Sequence, residues 1–341
     1  MQKEKIEALK ALIKKSDNIL IIGHKNPDGD AIGSCVGLGL FLKKQGHHVN
    51  VVMPNAYPEF LHWVPGHEDI FIYADQKEEV EQLVHNSDLI FTLDFNHFSR
   101  VGDGFSDLLT ECKIPFVMID HHEQPDDYAE VCLSYPEYGS TAELIFETIQ
   151  GLGLVKDIDK DIASCLYLGI MTDTGSFRFP STTSRTHEIV SVLLKKGAKS
   201  HEIQQKTFDS SSISRLKLLG KAMQNLEYLP EFQTAYIHLS QKELDDYNFQ
   251  KGDTEGFVNY GLSIKDVVLA VIFKEDLHQN MVKISFRSKG DFDVNQLARE
   301  YFHGGGHKNA AGGRSDLSLN ETIEKFVALL PNYKKDSGAA V

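Results

Sequence analysis

The sequence is poor in features that would settle its class at once. Four cysteines (Cys35, Cys112, Cys132 and Cys165) are scattered through 341 residues without a C-x-x-C pair. A thiolate zinc site and a disulfide framework are therefore disfavoured, and reduced thiols favour a cytoplasmic protein. Apolar runs stay well below the roughly 20 residues that a membrane-spanning helix requires. The 26 glycines and 10 prolines are too few for a fibrous or low-complexity chain.

Positive charge is also scarce. Lys and Arg total 35 against 49 Asp and Glu, which gives a formal net charge of −14. Duplex DNA is held largely by neutralisation of its phosphates, so general binding to duplex DNA is disfavoured. A phosphorylated ligand would therefore need a local basic pocket or metal ions.

The first half of the chain alternates apolar strand candidates with helical patterns. The strand candidates are residues 18–23, 49–53, 89–94 and 116–120. The helix candidates are residues 31–45, 141–150 and 161–171. Near-continuous apolar runs are typical of strands buried on both faces of a parallel sheet. The alternation predicts an α/β domain with a doubly wound, mainly parallel sheet.

A second, smaller α/β domain is predicted towards the C-terminus. Strand candidates recur at residues 234–239, 267–273 and 282–286, with helix candidates at 294–301 and 319–330. Residues 184–227 look helical or loop-like, with a candidate hinge at 210–214 and a helix at 215–226. We predict a larger domain at 1–190, a helical linker at 191–225 and the smaller domain at 226–341, with a cleft between the domains.

Acidic and imidazole side chains gather where the predicted strands end. These residues are His24, Asp28, Asp30, Asp94, Asp120, His121 and His122, and Asp173 follows an apolar helix. Ligands of open α/β sheets bind outside the carboxyl ends of the strands, so we expect these side chains to share one edge. Any one of them alone would fit a helix cap or a turn. The joint pattern instead favours a binding site.

Divalent cations would explain this gathering of acids. Uncompensated carboxylates repel each other, and their pKa values rise. Mixed carboxylate and imidazole ligands suit Mn²⁺, Mg²⁺ or another first-row metal. Two such ions about 3.5–4 Å apart form a clamp for phosphoester hydrolysis. The pattern therefore predicts a two-metal hydrolytic site.

These motifs resemble those of the DHH phosphoesterases, which are named for the triplet that stands here as Asp120-His121-His122. The resemblance covers His24-x-x-x-Asp28-x-Asp30, Asp94, the triplet and Asp173 within MTDTGS. It extends to HGGGHKNAAGG at residues 303–313, which is similar to the DHH-associated second domain. It implies a catalytic, metal-binding first domain and a substrate-binding second domain.

The resemblance also implies ligand roles. One metal would be held by His24, Asp28 and Asp94. The other would be held by Asp30, Asp94, His121 and Asp173, so that Asp94 bridges both. Asp120 would orient a histidine, and His122 would lie near the scissile phosphate. Mn²⁺ is the expected ion, with Mg²⁺ or Co²⁺ as alternatives.

Glycines and basic residues supply candidates for substrate binding. Three successive glycines let backbone N–H groups converge on an anion, although a flexible surface loop fits the same letters. The resemblance favours a binding role for Arg287, Ser288, His303, Gly304, Gly305, Gly306 and His307. His303 stands where many relatives carry a fourth glycine. Arg100 is either a phosphate contact or a solvated loop arginine.

Among these phosphoesterases, the chain looks most like compact bacterial enzymes that act on short RNA and on 3′-phosphoadenosine 5′-phosphate (pAp). The resemblance implies hydrolysis of single strands of about two to five nucleotides to mononucleotides, and removal of the 3′-phosphate of pAp. A hydroxide activated by both metals would attack phosphorus. The alternatives are a phosphodiesterase for cyclic di-AMP or linear dinucleotides, an inorganic pyrophosphatase or exopolyphosphatase, and a nucleotide-sensing module without activity. No membrane partner is expected, and a homodimer is left open.

Overall fold

The computed structural model describes residues 2–209 and 211–333. The chain divides into two compact units, Met1–Ser210 and Ser211–Val341. This boundary lies inside the linker predicted at 191–225, and the predicted domain limits stay predictions. Ser210, the first residue of the candidate hinge, lies outside the described residues.

The first unit alternates strands and helices along the chain. Its strands are β1 (Asn18–Ile22), β2 (His48–Met53), β3 (Ile70–Ile72), β4 (Leu89–Leu93), β5 (Phe116–Asp120) and β6 (Val131–Ser134). Its α-helices are α1 (Lys3–Lys15), α2 (Gly29–Lys44), α3 (Lys77–His85), α4 (Asp103–Glu111), α5 (Thr141–Gly151), α6 (Lys160–Asp173), α7 (Ser184–Lys195) and α8 (Ser200–Phe208). The strands pair in parallel in the order β3-β2-β1-β4-β5-β6. The doubly wound parallel sheet is therefore confirmed.

Helices cover both faces of this sheet, which explains the near-continuous apolar strands. Ile22 of β1 belongs to the core that contains Val84 of α3 and Phe105 of α4. Its neighbour Ile21 points to the opposite face, into the core that contains Phe146 of α5. Alternate side chains of one strand thus enter two different cores, and both must be apolar.

Two glycines allow α2 and α6 to cross at close range. A β-carbon on Gly33 would overlap the carbonyl oxygen of Cys165, and one on Gly169 would lie 2.6 Å from the Asp30 side chain. Neither overlap could be relieved without moving a helix or a buried carboxylate. The crossing therefore brings the start of α2, with Asp30, close to the end of α6, with Asp173.

The second unit is also an α/β structure. Its strands are β7 (Leu226–Leu229), β8 (Thr234–Leu239), β9 (Leu269–Asp276), β10 (Met281–Ser288), β11 (Gly305–His307) and β12 (Ala310–Ser315). Its α-helices are α9 (Ile213–Gln224), α10 (Gln241–Asp246), α11 (Phe257–Leu262), α12 (Val294–Tyr301) and α13 (Leu319–Tyr333). The sheet order is β11-β12-β10-β9-β8-β7, with β8 and β9 parallel and the other neighbours antiparallel. Helices again cover both faces, because α9 to α11 and α12 with α13 belong to different cores.

The structure differs from the predicted elements in short strands and short helices, since α3, α4, α10 and α11 were also not predicted. The four strands predicted in the first unit begin and end within one residue of the observed bounds, whereas β3, β6 and β7 were missed. The helix predicted at 215–226 ends at Gln224, because Leu226 already belongs to β7. The glycine-rich stretch, interpreted as a loop or an anion nest, forms the β11–β12 hairpin.

The helices have the lengths of ordinary globular elements. The α2 helix, with 16 residues, carries charged side chains at both ends. Across residues 2–209 and 211–333, no helix combines the length and the apolarity that crossing a bilayer requires.

Candidate metal centre

The strand order of the first sheet changes direction between β1 and β4. Such a switch point is where open α/β sheets bind their ligands. His24 lies two residues beyond β1, Asp94 follows β4 directly, and β5 ends at Asp120. The structure brings together every acid and histidine that the sequence predicted at this edge: His24, Asp28, Asp30, Asp94, Asp120, His121, His122 and Asp173.

Asp94 is the centre of this group. It is 2% exposed and has a left-handed backbone conformation with φ of 64°. Its Oδ2 atom lies 3.3 Å from Nε2 of His24, and its Oδ1 atom lies 3.5 Å from Nε2 of His121. The two oxygens of this carboxylate therefore face two different histidines. A carboxylate that is shared by two cations has the same arrangement, with one oxygen directed to each cation.

Both histidines are held in the orientation that ligation requires. Nδ1 of His24 lies 2.9 Å from the carbonyl oxygen of Lys25, and Nδ1 of His121 lies 3.2 Å from that of Tyr138. A carbonyl can only accept, so each Nδ1 carries a proton. Each Nε2 then faces the carboxylates, which is the usual arrangement of a metal-binding imidazole.

The first donor set comprises His24, Asp28 and Asp94, whose ligand atoms lie within 4.8 Å of one another. Asp28 is also the N-cap of α2, because its Oδ1 atom accepts from the N–H groups of Asp30 and Ala31. Its side chain is 47% exposed, so this set opens to solvent. A helix cap and a donor are therefore compatible roles for this residue.

The second donor set comprises Asp30, Asp94 and His121. Asp173 adjoins it, since its Oδ2 atom lies 3.3 Å from Nε2 of His121. The Oδ1 atom of Asp30 accepts from the Ser34 hydroxyl and from the Ala142 N–H group. Its Oδ2 atom accepts from the Thr141 N–H group and lies 3.9 Å from Nε2 of His121. Asp30 can thus offer one oxygen to a cation.

Burial and mutual repulsion raise the pKa values of acids in the centre, and the charges of the histidines act in the opposite direction. Burial raises the pKa of Asp173 to about 6, and burial together with the charges of Asp94 and Asp173 raises the pKa of Asp30 well above its usual range. Burial also opposes ionisation of Asp94, but hydrogen bonds with His121 and His24 hold its pKa well below its usual range. Burial lowers the pKa of both imidazoles, yet the hydrogen bond to Asp94 and nearby negative charges raise it overall.

The donor chemistry fits divalent cations. Protonated imidazoles supply the positive charge among these carboxylates, and a cation would replace those protons. Oxygen and imidazole donors without thiolates suit hard or borderline first-row ions. Acidic and histidine residues can therefore form a metal site here, while its ligand assignment and its ion stay predictions.

His122 and Asp120 form a separate pair at the edge of the centre. Nδ1 of His122 donates to Oδ1 of Asp120 at 2.7 Å, and the His122 N–H group donates to Oδ2 at 3.0 Å. Asp120 is fully buried, whereas the His122 side chain is 13% exposed. The pair fixes Nδ1 of His122 as a donor and leaves Nε2 as its reactive nitrogen.

Arg100 is placed near the first donor set. It lies in the short turn Phe98–Val101, and its carbonyl oxygen accepts from the N–H group of Lys25 at 2.7 Å. Its positive charge lowers the pKa of His24, although burial and Asp94 act more strongly on that imidazole. This placement is consistent with a phosphate contact, which stays a prediction.

The other predicted substrate contacts lie in the second unit. Arg287 and Ser288 end β10. The Ser288 hydroxyl donates to the carbonyl of Phe292 at 2.6 Å and accepts from the Asn309 amide at 2.9 Å, so its bonds lie within the unit. His303 is exposed and left-handed, with φ of 46°.

Two glycines of the glycine-rich stretch have N–H groups that are paired within the second unit. The N–H group of Gly304 donates to the carbonyl of Ala298, and that of Gly306 donates to Oδ1 of Asn295. A β-carbon on either glycine would overlap β12. These two glycines therefore serve the tight hairpin, while binding roles for His303, Gly304, Gly305, Gly306 and His307 stay predictions.

Thr141 was missed by the sequence reasoning. It begins α5, its hydroxyl donates to Oδ1 of Asp94 at 2.9 Å, and its N–H group donates to Oδ2 of Asp30 at 2.6 Å. A local signal was present, because the Ser-x-x-Glu spacing of Ser140 and Glu143 is typical of a helix start. Ser140 does cap α5 by accepting from the N–H group of Glu143.

Comparison with known proteins places this geometry in a family. The sequence model of the DHH family, N-terminal domain, matches residues 18–170. The model of the DHHA1 domain matches residues 231–336. The first match contains seven of the eight residues gathered at the centre and ends three residues before Asp173.

Two relatives and a solved structure resemble more than nine-tenths of the chain. The probable bifunctional oligoribonuclease and PAP phosphatase NrnA of Streptococcus mutans is 30% identical, with 92% of this chain and 94% of that protein aligned. The crystal structure of an exopolyphosphatase-related protein from Bacteroides fragilis is 41% identical, with a TM-score of 0.93 over 98% of this chain and 97% of that one. The cyclic-di-AMP phosphodiesterase GdpP of Geobacillus thermodenitrificans is 29% identical over 96% of this chain, but over 49% of its own length.

Proposed function

The chain belongs to the DHH family, and we propose that it is a metal-dependent phosphoesterase for short oligoribonucleotides and pAp. It would release mononucleotides from the former and remove the 3′-phosphate of the latter. The carrying observation is the shared carboxylate of Asp94, whose two oxygens face His24 and His121. The similarity to NrnA over nearly the full length of both chains supports this substrate class.

The proposal includes two divalent cations, with Mn²⁺ preferred. His24, Asp28 and Asp94 would hold one ion. Asp30, Asp94, His121 and Asp173 would hold the other. When bound, such cations supply a coordinated water of lowered pKa and neutralise charge on phosphoryl oxygens. The chain contributes rigidity, because four of the proposed donors are almost fully buried: His24, Asp30, Asp94 and His121.

His122 is the proposed acid and phosphate contact. Its Nδ1 proton is committed to Asp120, so Nε2 is the nitrogen that can donate to a phosphoryl or leaving-group oxygen. Asp120 keeps the ring in that orientation, and donation from Nε2 uses the imidazolium form, in which both nitrogens carry a proton. Arg100, whose charge reaches His24, would add positive charge for a substrate phosphate.

The second unit would bind the nucleotide portion. Arg287, Ser288 and the β11–β12 hairpin are the proposed contacts. A net charge of −14 disfavours long polyanions outside a local site, which agrees with short single strands and mononucleotides. A cytoplasmic location is part of this proposal.

A hydrolysis panel tests the proposal directly. Purified protein with Mn²⁺ would be given pAp, the linear dinucleotide pApA, cyclic di-AMP, pyrophosphate and polyphosphate at equal concentration, with EDTA as the metal control. Release of AMP from pApA and pAp, abolished by EDTA, is the expected result. Faster hydrolysis of pyrophosphate or polyphosphate would contradict the substrate assignment, and inactivity throughout would support a sensor.

A pair of aspartate variants localises that activity. Asp94→Asn removes the shared carboxylate and should abolish turnover. Asp88→Asn is the matched control, because Asp88 immediately precedes the same strand and accepts from the N–H groups of Asp17 and Asn18 at the other end of the sheet. Unchanged turnover in the Asp94→Asn protein would refute the shared-carboxylate mechanism.

Cyclic di-AMP is the second candidate substrate. GdpP is nearly as similar in sequence as NrnA, so identity alone does not separate the two. The alignment covers about half of GdpP and nearly all of NrnA, and the hydrolysis panel distinguishes the two substrate classes. Preferential hydrolysis of cyclic di-AMP in the panel would reverse that assignment.

A further inference from the structure

We propose that Thr141 is a positioning residue of the metal centre. Its hydroxyl holds the Asp94 carboxylate in the orientation that directs one oxygen to His24 and the other to His121. The inference rests on the proposed two-metal function, since only a shared carboxylate needs both oxygens aimed separately.

The contact is short, buried and directed at the shared group. Thr141 is fully buried, and its hydroxyl donates to Oδ1 of Asp94 at 2.9 Å. The same Oδ1 atom faces Nε2 of His121, while Oδ2 faces Nε2 of His24. Rotation of the carboxylate about its last torsion would break the Thr141 contact. The hydroxyl therefore selects one orientation of the plane that both donor sets share.

The backbone of the same residue holds a second carboxylate. The Thr141 N–H group donates to Oδ2 of Asp30 at 2.6 Å, and the next N–H group donates to Oδ1 at 2.9 Å. N–H groups at a helix start are free for such acceptors and carry partial positive charge. One residue at the start of α5 thus fixes the distance between the shared carboxylate and Asp30.

Another threonine of the same helix shows what this hydroxyl would otherwise do. Thr148 is also buried, and its hydroxyl donates to the carbonyl of Leu144 at 2.7 Å within α5. That local bond is the common one for a threonine inside a helix. Thr141 has no preceding helical turn to bond, so its hydroxyl is available to Asp94. Thr148 therefore supplies a matched control at the far end of α5.

Loss of the Thr141 hydroxyl should affect metal binding directly and turnover only as a result. With one lone pair of Oδ1 occupied by the hydroxyl, each oxygen of Asp94 has a remaining lone pair for one donor set. Without the hydroxyl, both oxygens can turn towards a single cation. We therefore expect the affinity for one of the two ions to fall when the hydroxyl is removed.

The test uses Thr141→Val, which keeps the branched shape and loses the hydroxyl, and Thr141→Ser, which keeps the hydroxyl. Calorimetric titration of the metal-stripped full chain with Mn²⁺ is the first readout. Thr141→Val should weaken binding of one ion by about 10- to 100-fold, the usual effect of losing a group that orients a ligand. kcat for pApA should fall by a similar factor with KM little changed. Thr141→Ser and Thr148→Val should bind Mn²⁺ like the natural chain.

Two outcomes would overturn the inference. In the first, Thr141→Val binds Mn²⁺ and turns over like the natural chain, and its Tm falls only as far as that of Thr148→Val. Thr141 would then serve packing alone. Failure of Thr141→Ser to retain affinity would show that shape matters and the hydroxyl does not. If the valine variant does not fold, Thr141→Ala compared with Thr141→Ser decides the same point. A natural chain that binds Mn²⁺ but hydrolyses nothing in the panel would refute the proposed function and leave this metal-affinity test intact.

Discussion

Binding of Mn²⁺ should release protons from the centre, and the structure indicates which ones. In the metal-free protein, Nε2 of His24 and Nε2 of His121 share protons with Asp94 across 3.3 Å and 3.5 Å. Burial lowers the pKa of both imidazoles, but the hydrogen bonds to Asp94 and nearby acids raise it above the ordinary value. An imidazole ligates a metal only after losing the Nε2 proton. Full loading therefore displaces one proton from each histidine.

The size of the effect follows from proton counting. Each released proton changes an apparent binding constant about tenfold per pH unit below the pKa of the group. Two histidines predict that the product of the two Mn²⁺ dissociation constants rises about 100-fold for each pH unit lowered through the imidazole range. Burial raises the pKa of Asp173 to about 6, so its carboxyl adds a further proton below that pH.

Titration calorimetry measures this count. Mn²⁺ would be titrated into metal-stripped protein near pH 6 in two buffers of different ionisation enthalpy, and the difference in heat gives the protons released. At least two protons are expected from the natural chain, because the Asp30 and Asp173 carboxyls with raised pKa values add to the two histidines. About one fewer is expected from His121→Gln. His85→Gln is the matched control, since His85 is exposed on α3 and bonds to the carbonyl of Glu81. A count near zero, or an unchanged count in His121→Gln, would refute the assignment of His121 as a ligand that exchanges its proton for metal.

Three further predictions follow from the same structure. Metal-free protein should lose stability as the pH rises from about 6 to 8, because folded His24 and His121 retain protons that the unfolded chain has already lost. The Tm values measured with EDTA and with Mn²⁺ should therefore diverge over this pH range, and a constant difference between them would contradict the prediction. Gly33→Ala forces α2 away from α6, so it should lower the free energy of unfolding by about 1–3 kcal/mol and weaken Mn²⁺ binding. Gly220→Ala is the control, because its β-carbon meets open space, and denaturant titrations should show a slightly higher stability for it. Arg287→Ala should raise KM for pApA and leave the Mn²⁺ content unchanged; loss of metal would show that Arg287 is wrongly placed.

The sequence predicts best those strands that are buried on both faces of the sheet. The β1, β4 and β5 strands are covered on both faces, so their letters are almost entirely apolar and their limits are evident. The edge strands β3 and β6 contain three and four residues, and buried positions in them are mixed with partly buried ones. Their apolar pattern is too short to distinguish from that of a loop. Strand pairing at a sheet edge is a tertiary event, and short local patterns do not encode it.

The glycine-rich stretch shows a different limit. Repeated glycine indicates that some backbone must approach closely, but it does not identify the partner. A ligand and a neighbouring strand make the same demand on the sequence. In the structure, Gly304 and Gly306 are required by β12, whereas a β-carbon on Gly305 would lie 3.8 Å from Asn295 and Arg299 side chains. Packing against β12 therefore does not require a glycine at position 305, and Gly305 is the one of the three to test first for substrate contact.

Some residues of the metal centre can be predicted from local sequence patterns, whereas others depend on contacts that are distant in the sequence. Charged residues at strand ends could be collected from the sequence because parallel strands deliver their carboxyl ends to one edge. Thr141 could not be predicted as a site residue, since its partner Asp30 lies 111 residues earlier in the chain. A capping pattern indicates that a helix starts near Ser140, but not that the helix points at α2. That direction depends on the close crossing of α2 with α6 and on where α5 packs beside them. A neutral hydroxyl at the start of α5 thus became a candidate only when the carboxylates that it contacts were in place.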